Sequence, residues 1–285
     1  MAEESKTAIV TDSSCDLSDE QLEAHHIHMI SLRIVCQNAE YRDRRELSED
    51  ELYELLKTEL PKTSLPLPED VATLYDSLAA DGVTDVVHVS ISSGLSGTYN
   101  MVRMIAEDYR DRMNIRVVDS KSLSTGLGSM VLMVAESLEA GDDPDTAVEK
   151  ATAMRKTQLG MFVIRTLEYL RKGGRIGLVE GVVGSLLQIK PIIYINDDGV
   201  YQTLAKARGY KTAVETMIHE AIKRFGQVKI NLTVVHGQAF EDAQALMDRL
   251  KQSLNIARSF IRPVSPVLAI HTGPGLLGVV AEKAE

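Results

Sequence analysis

The sequence predicts an α/β protein of two domains, the first built in three layers around a parallel sheet and the second around a mixed sheet. Three observations carry this. Apolar strands run three times into hydroxyl-rich loops and then into amphipathic helices, the repeat that makes parallel α/β layers. From Gln158 onward the pattern changes, and Pro191 to Leu204 reads as a hairpin turning at Asp197-Asp198-Gly199. The length, 285 residues, also exceeds what one hydrophobic core commonly serves. Residues 1–156 and 157–285 are the expected units.

The organising stretch is Val86 to Asn100, VVHVSISSGLSGTYN. Val86, Val87, Val89 and Ile91 are β-branched and form no helical stripe, which predicts a buried strand. A Ser/Gly turn from Ser92 to Thr98 follows, and Tyr99 to Arg110 places apolar residues at helical spacing. Strand, turn and helix in this order suit an anion. Free N–H groups of the first helical turn and the hydroxyls of Ser93, Ser96 and Thr98 can converge on one negative group, in a candidate ligand loop that includes Gly94. The same serines also serve as ordinary N-caps.

Upstream, Thr7 to Thr11 is a strand leading into the polar turn Asp12 to Ser18, a helix over Glu20 to His25 and a second strand over His28 to Val35. Asp12 and Ser13 stand at a strand's C-terminal end, where open α/β sheets bind ligands, although an Asx-turn accounts for them equally well. Tyr41 to Arg45 reads as an edge or hairpin segment, and Ser48 to Glu51 as a capping box opening a helix over Glu49 to Leu60. Pro61 to Pro68 holds three prolines in eight residues, so a rigid extended loop is expected there, neither helix nor sheet, with Thr63 and Ser64 at its middle as ligand candidates. Helix Glu69 to Ala80 returns to the organising strand. Ile115 to Asp119, the loop to Ser122 and helix Thr125 to Leu138 give the third repeat, and a last helix starts at Pro144.

In the second half, Leu159 to Arg165 is a strand. Arg171 to Gly177 then gathers three cations and three glycines in seven residues, a solvated loop or a phosphate or partner contact. After the hairpin come helix Tyr210 to Phe225, strand Lys229 to His236, helix Phe240 to Ser253 and strand Arg258 to Arg262. His271 stands between an apolar run and a Gly-Pro-Gly turn, a position as fit for structure as for function.

Composition narrows the function. A net charge of -10 opposes a nucleic-acid footprint, and the lack of Trp, with only four Phe, leaves no stacking platform for bases. Cys15 and Cys36 are the only cysteines, too few for a disulfide framework, so a reducing cytoplasmic compartment is expected. The N-terminus is acidic and lacks a signal-peptide profile, and no run approaches the ~18 apolar residues of a membrane span. The Walker A and G-x-G-x-x-G patterns are absent, Gly94 to Thr98 misses the hydrolase elbow by its last residue, and no paired-His spacing occurs. What remains is a hydroxyl-rich binding site with no catalytic residue, metal ligand set or cofactor assigned.

Taken together, Thr11-Asp12-Ser13, Thr63-Ser64, Ser92 to Tyr99, Val118 to Lys121, Leu170 to Ile176, Ile189-Lys190-Pro191 and His271 to Gly275 resemble the DegV family in order and spacing. This is a family of bacterial fatty-acid-binding proteins that share a two-domain architecture with the substrate subunit of dihydroxyacetone kinase. The resemblance implies a three-layer first domain and a two-layer α/β second domain, the latter a mixed six-stranded sheet with helices on one face. It further implies a buried long-chain fatty acid whose carboxylate lies at the interdomain cleft and is presented to a separate fatty-acid kinase. Thr63 and Ser93 match the family's carboxylate donors, and His271 lies in its His-x-Gly-Pro-Gly motif. The chain departs from the family after Ser64, with Leu65 and Leu67 where polar Gln and Ser are frequent.

Gly181, Val182, Val183, Leu186, Leu187 and Ile189 are candidates for the tail pocket, and Arg171, Lys172, Arg175, Lys206 and Arg208 for partner docking. The competing expectation is a small-molecule phosphotransferase subunit, related to dihydroxyacetone kinase, whose His271 bonds a hydroxyketone.

Overall fold

Alternating side chains decide the layers of the first half. The computed structural model describes residues 6–182 and 188–284. Strands β1 (Thr7–Asp12), β2 (Ile27–Ile30), β3 (Arg33–Val35), β4 (Glu40–Arg42), β5 (Lys62–Ser64), β6 (Asp85–Ser90) and β7 (Asn114–Asp119) divide between two sheets. Four of them lie in the order β2-β1-β6-β7, all parallel. Because strand side chains alternate, Ala8, Val10 and Val86 face one side and Ile9, Val87 and Val89 the other. The first set packs under helices Pro68–Ala80 and Thr98–Glu107, through Val71, Tyr75 and Val102. The second set meets Leu127, Met130 and Val131 of helix Ser124–Glu139 and Ala147 and Ala151 of helix Pro144–Arg155. These are the three expected layers.

Two local expectations change. The stretch His28 to Val35 is two strands: Ile30 pairs in parallel with Asp12, whereas Ile34 pairs antiparallel with Tyr41 and Thr63 in a small sheet ordered β4-β3-β5. The proline-rich stretch is likewise not a bare loop, because Lys62 to Ser64 is an edge strand of that sheet. Pro61, Pro66 and Pro68 all fall outside the three paired residues, so no missing N–H interrupts the ladder.

The second half contains β8 (Leu159–Val163), β9 (Ile189–Ile195), β10 (Tyr201–Arg208), β11 (Ile230–His236), β12 (Ile256–Pro263) and β13 (Leu277–Lys283). They form a mixed sheet ordered β10-β9-β8-β13-β11-β12, with only β11 and β12 parallel. Helices Tyr210–Phe225 and Phe240–Lys251 cover one face, packing Met217, Ala221 and Leu246 on Met161, Val163 and Leu232. The opposite face carries Phe162, Ile193 and Val235 into the same apolar cluster as Ile9, Val87 and Leu127. One continuous core therefore crosses the seam between the halves.

Strand β13, just after Gly-Pro-Gly, lies at the centre of this sheet, an element the sequence does not announce. The apolar run before His271 is a helix, Pro266–Thr272, opened by a proline at its first position, where the missing N–H is harmless.

Polar contacts also lock the seam. Ser92 Oγ donates to Gly199 O at 2.7 Å, and Arg155 Nη2 donates to Lys121 O at 2.8 Å and Asn196 O at 3.0 Å. The β9–β10 turn is thereby held on the Ser-rich loops of the first half. The fit is close: a Cβ on Gly94 would lie 2.6 Å from Val200 Cγ1, and one on Gly199 2.1 Å from Ser92 Oγ.

Candidate functional site

A cleft of about 200 Å³ opens at the seam. Four separate segments bring polar groups to it: Thr63 and Ser64 on β5, Ser96 in the turn after β6, Arg175 in the turn after helix Glu168–Lys172, and His271 on helix Pro266–Thr272. Leu32, Leu65, Ile91, Leu95, Val267 and Leu268 supply apolar walls. Leu123, Tyr201 and Leu268 also line an adjoining apolar cavity of about 40 Å³, which Met161, Phe162, Ile195, Val235 and Leu276 help to enclose. A polar-headed cleft and an apolar chamber thus lie side by side at the seam, with Leu123, Tyr201 and Leu268 as their shared wall.

The centre of the polar end is the pair Thr63 Oγ1 and His271 Nε2, 2.8 Å apart. His271 is 9% exposed, and its Nδ1 has no hydrogen-bond partner. Burial, reinforced by the nearby Arg175 charge, pushes its pKa down to about 4, so the imidazole is neutral at pH 7. A tautomer with the proton on Nε2 donates to Thr63 and leaves the Thr63 hydroxyl hydrogen free for a ligand oxygen. It also leaves only a lone pair, not an N–H, without a partner at Nδ1. Gly173 packs against that nitrogen: a Cβ there would lie 2.2 Å from Nδ1.

Arg175 is half-buried and held by two carbonyls, Nε to Leu95 O at 3.3 Å and Nη1 to Gly173 O at 2.7 Å. Among the described residues no carboxylate lies within ion-pair distance of it, so the cleft presents an uncompensated cation. Ser96 Oγ shares a hydrogen bond with Thr98 Oγ1 at 2.9 Å. A cation, hydroxyls and a neutral imidazole above apolar walls suit a monoanionic head attached to an apolar body. Among the described residues no group of His, Cys, Asp and Glu could hold a metal ion. No helix among them is long and apolar enough to cross a membrane.

Of the ligand candidates, Thr63, Ser96 and His271 line this one cleft, whereas Ser93 and Gly94 lie elsewhere. Ser93 donates its N–H to Asp119 Oδ1 at 3.0 Å and accepts from Lys121 Nζ at 3.0 Å, outside the cleft lining. The tight turn alternates its hydroxyls, so Ser96 faces the cleft and Ser93 the β7 loop. Gly94 packs on the β9–β10 turn. Asp12 and Ser13 are structural: Asp12 Oδ2 accepts from Ile91 N at 2.7 Å, and Ser13 Oγ from Leu32 N at 3.1 Å.

The basic group divides as well. Arg175 turns toward the cleft, where the glycines at 173 and 174 let the chain fold back. Arg171, Lys206 and Arg208 are exposed, and Lys172 pairs with Glu168 at 2.5 Å. Of the tail-pocket candidates, Val183, Leu186 and Leu187 lie outside the described residues, as does the side chain of Val182. Gly181 falls in a short turn, and Ile189 on β9 is not in the apolar chamber's lining. Sequence reasoning missed that lining, which is drawn from many segments: β8, single residues of β9, β10, β11 and β13, helix Pro266–Thr272 and the residues around Leu123, Val264 and Leu276. Alternation in β8 was the available signal for Phe162.

These features define a two-part α/β protein with an anion-suited cleft at its seam. The chain belongs to the DegV family: the model of that family, described as an uncharacterised protein family, matches residues 6–284. A DegV domain-containing protein of Clostridium acetobutylicum is 40% identical over 278 residues, covering 98% of this chain and 99% of that protein. The structure described as fatty acid binding of a DegV family protein from Thermus thermophilus superposes with a TM-score of 0.90 at 30% identity, covering 98% of this chain and 100% of that one. A stearic acid-binding protein from Eubacterium ventriosum gives 0.89 at 29% identity, covering 97% and 98%.

Proposed function

We propose that this chain binds a long-chain fatty acid, with the carboxylate among Thr63, Ser96, Arg175 and His271 and the acyl chain in the apolar chamber. The observation that carries this reading is the adjacency of the two spaces, which share Leu123, Tyr201 and Leu268 as a common wall, so that movement of these three side chains would open one into the other. Each buried methylene contributes ~0.8 kcal/mol, so a chain of roughly fifteen gains on the order of 12 kcal/mol before ordering costs. The tail then dominates affinity. The head must still be satisfied, because a desolvated carboxylate without donors is costly, and Arg175 with the hydroxyls answers that need. The fatty-acid binding named for the Thermus and Eubacterium proteins supports the same assignment.

In this reading residues 1–156 supply Thr63 and Ser96, while residues 157–285 supply Arg175, His271 and most of the chamber. The protein is a non-catalytic carrier in the cytoplasm that presents the carboxylate to a separate kinase for conversion to acyl phosphate. Exposed Arg171, Lys206 and Arg208 give that acidic chain a local basic face for docking.

The test is an organic extract of the purified protein analysed by gas chromatography and mass spectrometry. Near-stoichiometric fatty acid is expected. Its absence, together with no uptake of added oleate, would overturn the reading and favour the hydroxyketone alternative.

A further inference from the structure

A second cleft, of about 80 Å³, lies between helix Ser124–Glu139 and the β11, β12 and β13 end of the six-stranded sheet. It shares no lining residue with the cleft at Thr63 and His271. Its floor holds Glu282, 5% exposed, and Thr125, 7% exposed. Glu282 Oε1 accepts from Ser129 Oγ at 3.2 Å and the Gln158 side chain stands close enough to favour the carboxylate, whereas Glu282 Oε2 and Thr125 Oγ1 make no hydrogen bond of good geometry. Asp16 also lines the floor, but both its oxygens are engaged, by Ser265 N and Ser124 Oγ. The rim is cationic and aromatic: Arg258, Arg262 and Phe260 project from edge strand β12. Arg258 pairs with Glu136 at 2.9 Å. Arg262 donates to Gln21 Oε1 at 3.3 Å and has no carboxylate within ion-pair distance among the described residues.

A buried carboxyl oxygen and a buried hydroxyl left without a hydrogen bond of good geometry each carry a desolvation cost that packing does not require. We propose that this cleft binds a compact zwitterion, its ammonium on Glu282 and Thr125 at the floor and its anionic group on Arg262 at the rim. A simple anion would meet Glu282 and Asp16 below, and a simple cation would meet Arg258 and Arg262 on entry. Only a ligand bearing both charges complements both levels. A carboxylate and a phosphate offer the rim the same oxygen chemistry, and the test separates them.

The full chain is titrated calorimetrically with 4-aminobutyrate and with O-phosphoethanolamine, and with methylamine and inorganic phosphate as the separated halves. At least one zwitterion should bind at least tenfold more tightly than either half, and the better one identifies the anionic group. Glu282→Gln and Arg262→Gln should each weaken it by about tenfold, while His271→Ala leaves it unchanged, which separates this site from the fatty-acid cleft. If either variant fails to fold, the wild-type amide resonances of Asn231 and Thr233 still report: they should shift on titration. No zwitterion binding at millimolar concentration, equal affinity in both folded variants, or shifts confined to the Thr63 and His271 cleft would overturn the proposal.

Discussion

Gly173→Ala is the sharpest test of how the head-group end is built. Gly173 has φ −76°, which alanine adopts freely, so any effect is steric. The new Cβ would stand 2.2 Å from His271 Nδ1 and 2.8 Å from Cε1, whereas ordinary contact begins near 3.4 Å. The ring must therefore retreat by about 1 Å, enough to break the 2.8 Å contact between Nε2 and Thr63. Overpacking of this kind costs about 1–3 kcal/mol, and the lost hydrogen bond about 1 kcal/mol more. An unfolding entropy of about 2.1 cal/mol/K per residue over 285 residues is roughly 0.6 kcal/mol/K, so a loss of about 2 kcal/mol lowers Tm by about 3 °C. Fatty-acid retention should fall about tenfold, read by extraction after dialysis against albumin. Gly174→Ala is the control: nothing lies within 4 Å of its Cβ, but φ is +70°, so it should lower Tm through backbone strain and keep the lipid. Wild-type Tm and retention in Gly173→Ala would refute the placement of the ring.

Ser96→Ala should weaken retention by ~1.5–3 kcal/mol, the size of a hydrogen bond to a charged group, whereas Ser93→Ala should leave retention within about twofold; the reverse order in an exchange assay would reassign the loop. Arg175→Gln should lose the acid even in low salt, and Arg175→Lys should restore only part of it because a lysine cannot hold Leu95 and Gly173 while facing the ligand; full retention in Arg175→Gln would remove the guanidinium from the site. Glu282 gives a pH effect of known sign. Burial raises its pKa from 4.5 to about 7, so the unfolded chain ionises first. Its contribution to stability is whole below about pH 4.5 and is lost as pH rises through 7, ~3 kcal/mol in all. Urea unfolding at pH 5 and pH 8 should therefore differ less in Glu282→Gln than in wild type, and equal differences would contradict the burial argument.

What the sequence made legible was much that is local in period, though not helix Pro266–Thr272 or β13. The β-branched run before Ser92, the capping box at Ser48 and helix Tyr210–Phe225 all follow from spacing within one element. Partners far along the chain were not legible. Ile30 and Ile34 differ little as residues, yet one pairs with Asp12 and the other with Thr63, so nothing local announces the break between them. Prolines signalled a loop around Thr63 but could not show that the three residues between them reach a neighbouring strand. Ser93 and Ser96 look equivalent in the sequence, and only the turn's geometry sends one to Lys121 and the other to the cleft. For Arg175 the sequence leaves a solvated loop, a phosphate contact and a partner contact open, because a cation beside glycines suits all three. Its inward turn depends on Gly173 yielding space to His271, a contact across nearly a hundred residues.

The same logic makes a residue outside the cleft control its geometry. Thr63 and His271 are 208 positions apart, so their contact is only as good as the anchors of the elements that carry them. For His271 the anchor is Asp43, fully buried, whose Oδ1 accepts from Val267 N at 3.0 Å near the start of helix Pro266–Thr272. Burial raises the Asp43 pKa to about 7, so much of its role near neutral pH is that of an acceptor and not of a charge. Asp43→Asn preserves an acceptor and should keep both fold and lipid. Asp43→Ala strands a buried N–H, at about 1–3 kcal/mol, and frees the helix to drift from β5. It should lower retention even though position 43 does not line the cleft, and Asp43→Asn should rescue it. Loss of lipid in Asp43→Asn equal to that in Asp43→Ala would mean that the charge matters, and the anchoring argument would fail.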